Sequence, residues 1–143
     1  MENILISACL IGVSCRYDGG TKTVPEIKEL MAKYNLVPVC AEILGGLPTP
    51  RVPAERIGDK IITKDGRDVS AEYIRGANEV LRLAELYGCK KAILKERSPS
   101  CGFGVIYDGT FTDHFKEGNG VTAELLSANG IEIYGESKIN ELI

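Results

Sequence analysis

Four short runs of strand character, Ile4 to Ala8, Leu36 to Val39, Lys91 to Lys95 and Ile131 to Tyr134, punctuate the chain, and the stretches between them are long enough to hold helices. Runs this short read as strands and not as buried helices. Strands separated by helical stretches imply crossover connections, and therefore parallel strands with helices on both faces. The expected class is α/β: a three-layer Rossmann-like domain with a short, mainly parallel sheet. At 143 residues the chain has room for one core and is short for two, so residues 1–143 are read as one domain.

The intervening segments carry helix signals of different strength. Thr23 followed three residues later by Glu26 has the form of a capping box, and Ile27, Leu30, Met31 and Tyr34 then recur at helical spacing up to Asn35. The clearest helix opens at Ser70, a good N-cap. Its apolar stripe is Ile74, Ala77, Leu81 and Ala84, widened by Val80 and Tyr87, and Gly88 stops it. A last helix runs from about Val121 to Asn129 and ends at Gly130. Ile57 to Thr63, with the turn Lys64-Asp65-Gly66, reads as a small hairpin exposing Asp59 and Lys60 at its start. Residues 45–53, with Gly45, Gly46, Pro48, Pro50 and Pro53, form a long shaped loop of the kind that is often functional. Residues 103–120, with Phe103, Tyr107, Phe111, His114 and Phe115 among glycines, read as an irregular, mobile covering segment, and the tail after Gly135 as peripheral.

Charge and hydropathy narrow the function. With 17 basic against 20 acidic residues and a net charge of -3, nothing in the balance attracts DNA or an anionic membrane. No apolar run approaches the roughly 20 residues that span a bilayer. The amino terminus passes from Asn3 straight into Ile4-Leu5-Ile6 without a basic segment, and a cytoplasmic location is expected. Five cysteines, an odd number spread along the chain, point to metal binding or catalysis in a reducing compartment and not to disulfides. A small-molecule substrate is the partner this leaves.

Parallel strands all end on one edge, and ligands bind just outside those carboxyl ends. Cys9 follows the first strand, Cys40 closes the second and Cys101 lies in the loop after the third, so three thiols are expected at one edge. Cys89 precedes the third strand and belongs at the opposite edge, as a packing residue. Cys15, in the loop Cys15-Arg16-Tyr17-Asp18-Gly19, is near enough to be a fourth ligand, a redox partner or a sulfur carrier, or else a thiol that merely packs.

Soft sulfur ligands select zinc, cuprous copper or iron–sulfur clusters. Structural zinc usually takes paired cysteine knuckles, which this chain lacks, and its one histidine, His114, has a surface-loop setting. Three cysteines suit a [4Fe–4S] cluster with one iron free for substrate, although such cysteines are often clustered locally, and spacing alone leaves the metal open. Glu42, two residues beyond Cys40, is either a general acid or base or a solvated loop charge. Ser98 and Ser100 flank Pro99 before Cys101, as substrate contacts or as turn formers. Lys95, Arg16 and Asp18 face either the crevice or solvent, and Lys22 and Arg51 are anion contacts or ordinary surface residues.

Five motifs occur in order: Ser7-Ala8-Cys9-Leu10-Ile11-Gly12, Cys15-Arg16-Tyr17-Asp18-Gly19, Pro38-Val39-Cys40-Ala41-Glu42, Gly45-Gly46-Leu47-Pro48-Thr49-Pro50-Arg51 and Lys95-Glu96-Arg97-Ser98-Pro99-Ser100-Cys101-Gly102. With them the chain resembles the thiouracil desulfidase family, in its short single-domain form, over essentially its whole length. The resemblance implies a [4Fe–4S] cluster on Cys9, Cys40 and Cys101. It also implies a non-redox reaction in which 4-thiouracil, 2-thiouracil or a thiouridine nucleotide becomes the uracil species plus hydrogen sulfide, with the free iron receiving the substrate sulfur. By motif match the acid–base role falls to Glu42 and a supporting hydrogen-bonding or relay role to Ser98, with Ser100, Asp18 and Arg16 as substrate contacts. Where this chain has Ala41 the family more often has proline, a change that bears on the loop carrying Glu42. The rival reading is a metal- or sulfide-binding module, or a sulfur carrier, using the same cysteines without turnover.

Overall fold

The computed structural model describes residues 1–143. After β1 (Glu2–Ser7) the chain makes a 3-10 turn over Ala8–Ile11, then forms α1 (Ile27–Lys33), β2 (Tyr34–Val39) and the single turn α2 (Ala41–Leu44). A hairpin of β3 (Ala54–Ile57) and β4 (Lys60–Thr63) leads into the longest helix, α3 (Ser70–Tyr87), and then β5 (Lys91–Leu94). A second hairpin, β6 (Val105–Tyr107) and β7 (Phe115–Glu117), precedes α4 (Val121–Ala128), β8 (Glu132–Gly135) and a closing 3-10 turn over Glu136–Glu141.

The central sheet has the order β2-β1-β5-β8, and every pairing in it is parallel. Successive side chains of a strand point to opposite faces, and in β1 both faces are buried. Ile4 and Ile6 pack with Leu30 of α1 and Ile139 of the closing turn, while Leu5 packs with Val80 and Ala84 of α3 and Leu126 of α4. This is the three-layer α/β arrangement expected from the alternation of elements.

Several local expectations need correction. The capping box is not formed: α1 starts only at Ile27, Thr23 Oγ1 bonds Thr21 Oγ1, Met31 is exposed, and Tyr34 already belongs to β2. Pro25 follows too closely for a helix beginning at Thr23 to retain its early turn. The first hairpin turns at Gly58-Asp59, and Lys64-Asp65-Gly66 makes a second turn beyond it. Ser70 is the first residue of α3 and not its cap, its Oγ accepting the Ile61 N–H at 2.8 Å. The covering segment is an ordered hairpin. The tail is not peripheral either: Ile139 and Leu142 are core residues, and the Tyr34 hydroxyl donates to the Leu142 carbonyl at 3.0 Å.

The face that α3 buries is also rotated from the expected stripe. Tyr73, Gly76, Ala77, Val80 and Ala84 are inside, whereas Ile74 is 50% exposed and Tyr87 is exposed too. The cause is a close approach to α2. A Cβ on Gly76 would lie 1.9 Å from the Ala41 carbonyl oxygen, and one on Gly45 would lie 2.0 Å from that of Glu72. Only glycine permits that main-chain contact, so α3 must turn Gly76 inward, and Ile74 goes out with the opposite face.

Gly76→Ala should therefore destabilise the protein by about 2 kcal/mol or more, since overpacking against rigid main chain cannot relax through a rotamer. Gly58→Ala, in an open turn with φ 63°, should cost only about 1–2 kcal/mol for its left-handed conformation. Chemical denaturation of both variants checks this, and equal losses would remove the special role given to the α2–α3 contact.

Candidate active site

The carboxyl ends of β1, β2 and β5 open into one cavity of about 320 Å³, lined among others by Cys9, Cys40 and Cys101. Each cysteine is fixed by main chain. Cys9 lies in the 3-10 turn after β1, and its carbonyl accepts the Lys22 N–H at 2.9 Å. Cys40 immediately precedes α2, its carbonyl accepting the Leu44 N–H at 3.0 Å, and the glycine contacts press that turn onto α3. Cys101 follows Ser98, whose Oγ accepts the N–H of Ser100 at 3.1 Å and of Cys101 at 2.7 Å. The start of α4 closes this loop from behind: Val121 N–H donates to the Pro99 carbonyl at 2.9 Å and Thr122 N–H to that of Ser100 at 2.8 Å. A Cβ on Gly120 would come within 2.4 Å of that Ser100 carbonyl.

Beside Cys40 stands a buried ion pair. Glu42 Oε2 accepts from Arg51 Nη2 at 2.9 Å, the two side chains being 17% and 6% exposed. The same nitrogen donates to the Cys15 carbonyl at 3.0 Å, and Nη1 donates to the Pro48 carbonyl and Thr49 Oγ1, both at 3.2 Å. The proline-rich loop thus delivers a guanidinium anchored by two main-chain and two side-chain oxygens. The sequence leaves Arg51 open between an anion contact and an ordinary surface residue, because nothing local marks a buried arginine. The density of prolines around it was the available signal.

Other expected residues divide. Ser98, Arg16 and Lys95 line the cavity with Glu42, and Lys95 is also paired with Glu136 at 2.9 Å. Ser100 does not line it. Its side chain is fully buried, shares a 2.9 Å hydrogen bond with Thr122 Oγ1 and accepts from the Cys101 thiol. Asp18 does not line it either: its carboxylate takes the Gly20 N–H at 2.9 Å and faces Arg16 at 3.5 Å, shaping its own loop. Lys22 and His114 lie off the cavity wall, and Cys89 is buried among Val80, Ala84 and Ala92. Cys15 is buried and lines the cavity, and its carbonyl also accepts from the Cys40 thiol. Tyr73 and Glu55, which no sequence signal singled out, and Phe111 of the covering segment also line the cavity.

Burial pushes the thiols of Cys9 and Cys40 up to about 12, with Cys15 and Glu42 raising the first further and Glu42 the second. Burial, and then Glu42, pushes Cys101 up as well. Three thiolates here therefore require a cationic centre to hold them. No three Cys, His, Asp or Glu side chains stand close enough to grip a single metal ion. A structural zinc needs four donors in a tight tetrahedron, which this wall lacks. The all-sulfur set, spread around one cavity, fits a multi-iron cluster.

Comparison with known proteins agrees with this geometry. A model of the family described as 2-thiouracil desulfurase matches residues 4–138. The chain is 41% identical to the uncharacterized protein YbbK of Bacillus subtilis, over 98% of this chain and 99% of that one. It is also similar to the solved structure of TudS, a [4Fe–4S]-dependent thiouracil desulfidase, with a TM-score of 0.94 and 44% identity, covering 99% of this chain and 95% of that one.

The thiol shifts carry a stability signature for the metal-free protein. Folded pKa values near 12 against about 9 for Cys9 and Cys40 when unfolded favour the folded state below pH 9, and that advantage is lost as the pH rises from there towards 12. The melting temperature of chelator-treated protein should be level between pH 7 and about 8.5 and fall steadily above it. A melting temperature that stays flat to about pH 10.5 would mean that the thiols are not desolvated.

Proposed function

The chain belongs to the 2-thiouracil desulfurase family, and on that premise we propose that it removes the sulfur of thiouracil, with Cys9, Cys40 and Cys101 holding a [4Fe–4S] cluster. The observation that carries this reading is the convergence of three thiols, those of Cys9 and Cys101 buried and that of Cys40 partly so, and one ion-paired carboxylate on a single cavity. The reaction exchanges C=S for C=O: water supplies the oxygen, both of its hydrogens leave with the sulfur as hydrogen sulfide, and no electrons are gained or lost. Held by Cys9, Cys40 and Cys101, the cluster would supply Lewis acidity towards the thiocarbonyl group.

The chain's own residues supply the proton handling. Arg51 holds Glu42 through Oε2 only, and Oε1 makes no hydrogen bond within the protein, so it is free to orient the attacking water and take its proton. Ser98 has a narrower role than a relay. Its oxygen already accepts two N–H groups, which leaves the hydroxyl hydrogen to donate to the substrate. Arg16 and Lys95 add positive charge to the wall, which complements the negative charge of three thiolates. The unit responsible is the single domain over residues 1–143. Five free cysteines suit a reducing compartment, the cytoplasm, and no helix is long and apolar enough to cross a membrane.

Anaerobically reconstituted protein should contain iron and acid-labile sulfide and release sulfide from 4-thiouracil or 2-thiouracil. Glu42→Gln, which preserves the shape of the pair with Arg51, should lower kcat by roughly 10²–10⁴-fold while the iron content stays at the wild-type level. Normal turnover by this variant would remove Glu42 from the chemistry. Full iron loading without any sulfide release from the wild type would favour the non-catalytic sulfide-binding reading instead.

A further inference from the structure

The loop joining β6 to β7 reaches the cavity, and its main chain is held in an unfavourable form. Phe111 and Asp113 have φ of 57° and 59°, left-handed values that are uncommon for residues with a Cβ, above all for one as bulky as Phe111. Glu55 of β3 holds this conformation from across the cavity wall: its Oε1 accepts the N–H of Gly109 at 2.9 Å and of Phe111 at 3.1 Å. Glu55 is 8% exposed and lies within ion-pair distance of no lysine or arginine. A buried carboxylate compensated by two main-chain donors alone is a costly anchor for a surface loop. Gly109, with φ 93°, packs so close to β3 that a Cβ there would lie 2.9 Å from the Ile57 side chain. The loop tip is therefore pinned, and it presents Phe111 to the cavity.

The ring so presented differs from its neighbours. Of the cavity-lining aromatics Tyr17, Tyr73, Tyr107 and Phe111, only Phe111 has no polar atom. It contributes a wholly apolar ring to a cavity wall otherwise rich in thiols and charges. We propose that Phe111 is the wall on which the planar ring of the substrate stacks, and that Glu55 is the positioning residue that holds it there. This rests on the thiouracil reading above and deepens it, because stacking selects flat heteroaromatic rings without consuming their hydrogen-bonding edges. Those edges remain for Ser98 and Glu42. The substrate class is then a planar ring thiocarbonyl and not an open-chain thioamide.

Reconstituted wild type, Phe111→Ala, Phe111→Tyr, Glu55→Ala and Glu55→Gln are compared by KM and kcat for 4-thiouracil, by the Kd of uracil from calorimetry, and by iron content. Loss of one stacked face should raise both KM and the uracil Kd about tenfold in Phe111→Ala, with iron unchanged and kcat within about threefold. Phe111→Tyr, which keeps the ring, should recover most of the binding that Phe111→Ala loses, and unchanged iron content in each variant is the control for folding. Glu55→Ala should raise KM as far as Phe111→Ala does and add nothing in the double variant, whereas Glu55→Gln, whose amide oxygen still accepts both N–H groups, should restore binding. An unchanged KM and uracil Kd in Phe111→Ala, or full additivity of the two alanine variants, overturns the proposal while leaving the desulfuration reading in place. A wild type that releases no sulfide yet binds uracil through Phe111 sinks the desulfuration reading and leaves the stacking wall standing. A wild type that binds no uracil overturns the wall.

Discussion

Main chain lies directly on main chain at Gly45, Gly76 and Gly120, and the placing of Cys40 and Cys101 depends on those contacts. A parallel sheet brings strand ends to one edge, but a residue just beyond a strand can take many paths. α2 is a single turn of four residues, far too short to be stable alone. It keeps its form because α3 approaches within reach of its carbonyls. The Ser98–Cys101 loop is likewise closed by the first N–H groups of α4, which would otherwise lack partners. Two helices that build the core therefore also fix the geometry of the thiols, and core packing and site geometry share the same atoms.

Around the cavity the protein concentrates groups that are expensive to bury. Three desolvated thiols, the Glu42–Arg51 pair and the Glu55 carboxylate, which has only main-chain donors for partners, all line one cavity. Replacing such groups with hydrocarbon would often stabilise a fold, so their presence here marks function. The sheet beneath can carry them because its central strand β1 is buried on both sides. A cationic centre would relieve the thiols directly, which couples cofactor loading to stability.

Much of this was legible in local pattern. The four central strands, the αL stop of α3 at Gly88 and the end of α4 follow from short-range periodicity and turn residues. The meeting of Cys9, Cys40 and Cys101 follows from strand order alone. The errors have a common origin. Ile74 looked as suitable for the core as Ala77, and only the approach of α2 decided which face of α3 goes inward. Ser100 and Ser98 differ by two positions in one loop, yet α4 captures the first and the cavity receives the second. Asp18 is expected among the substrate contacts with Arg16, but its carboxylate is used within its own turn and lies off the cavity wall.

The chain by itself determined the α/β class, the sheet edge where the cavity opens and the three cysteines that line it, because strand spacing and residue type are properties of short segments. Only the tertiary structure decided which polar side chains face the cavity. Arg51 and Glu55 look like surface charges in sequence and become buried through contacts with distant segments: Arg51 with the Cys15 carbonyl, Glu55 with the N–H groups of Gly109 and Phe111. Burial of a charge is set by what folds over it, and no local pattern encodes that.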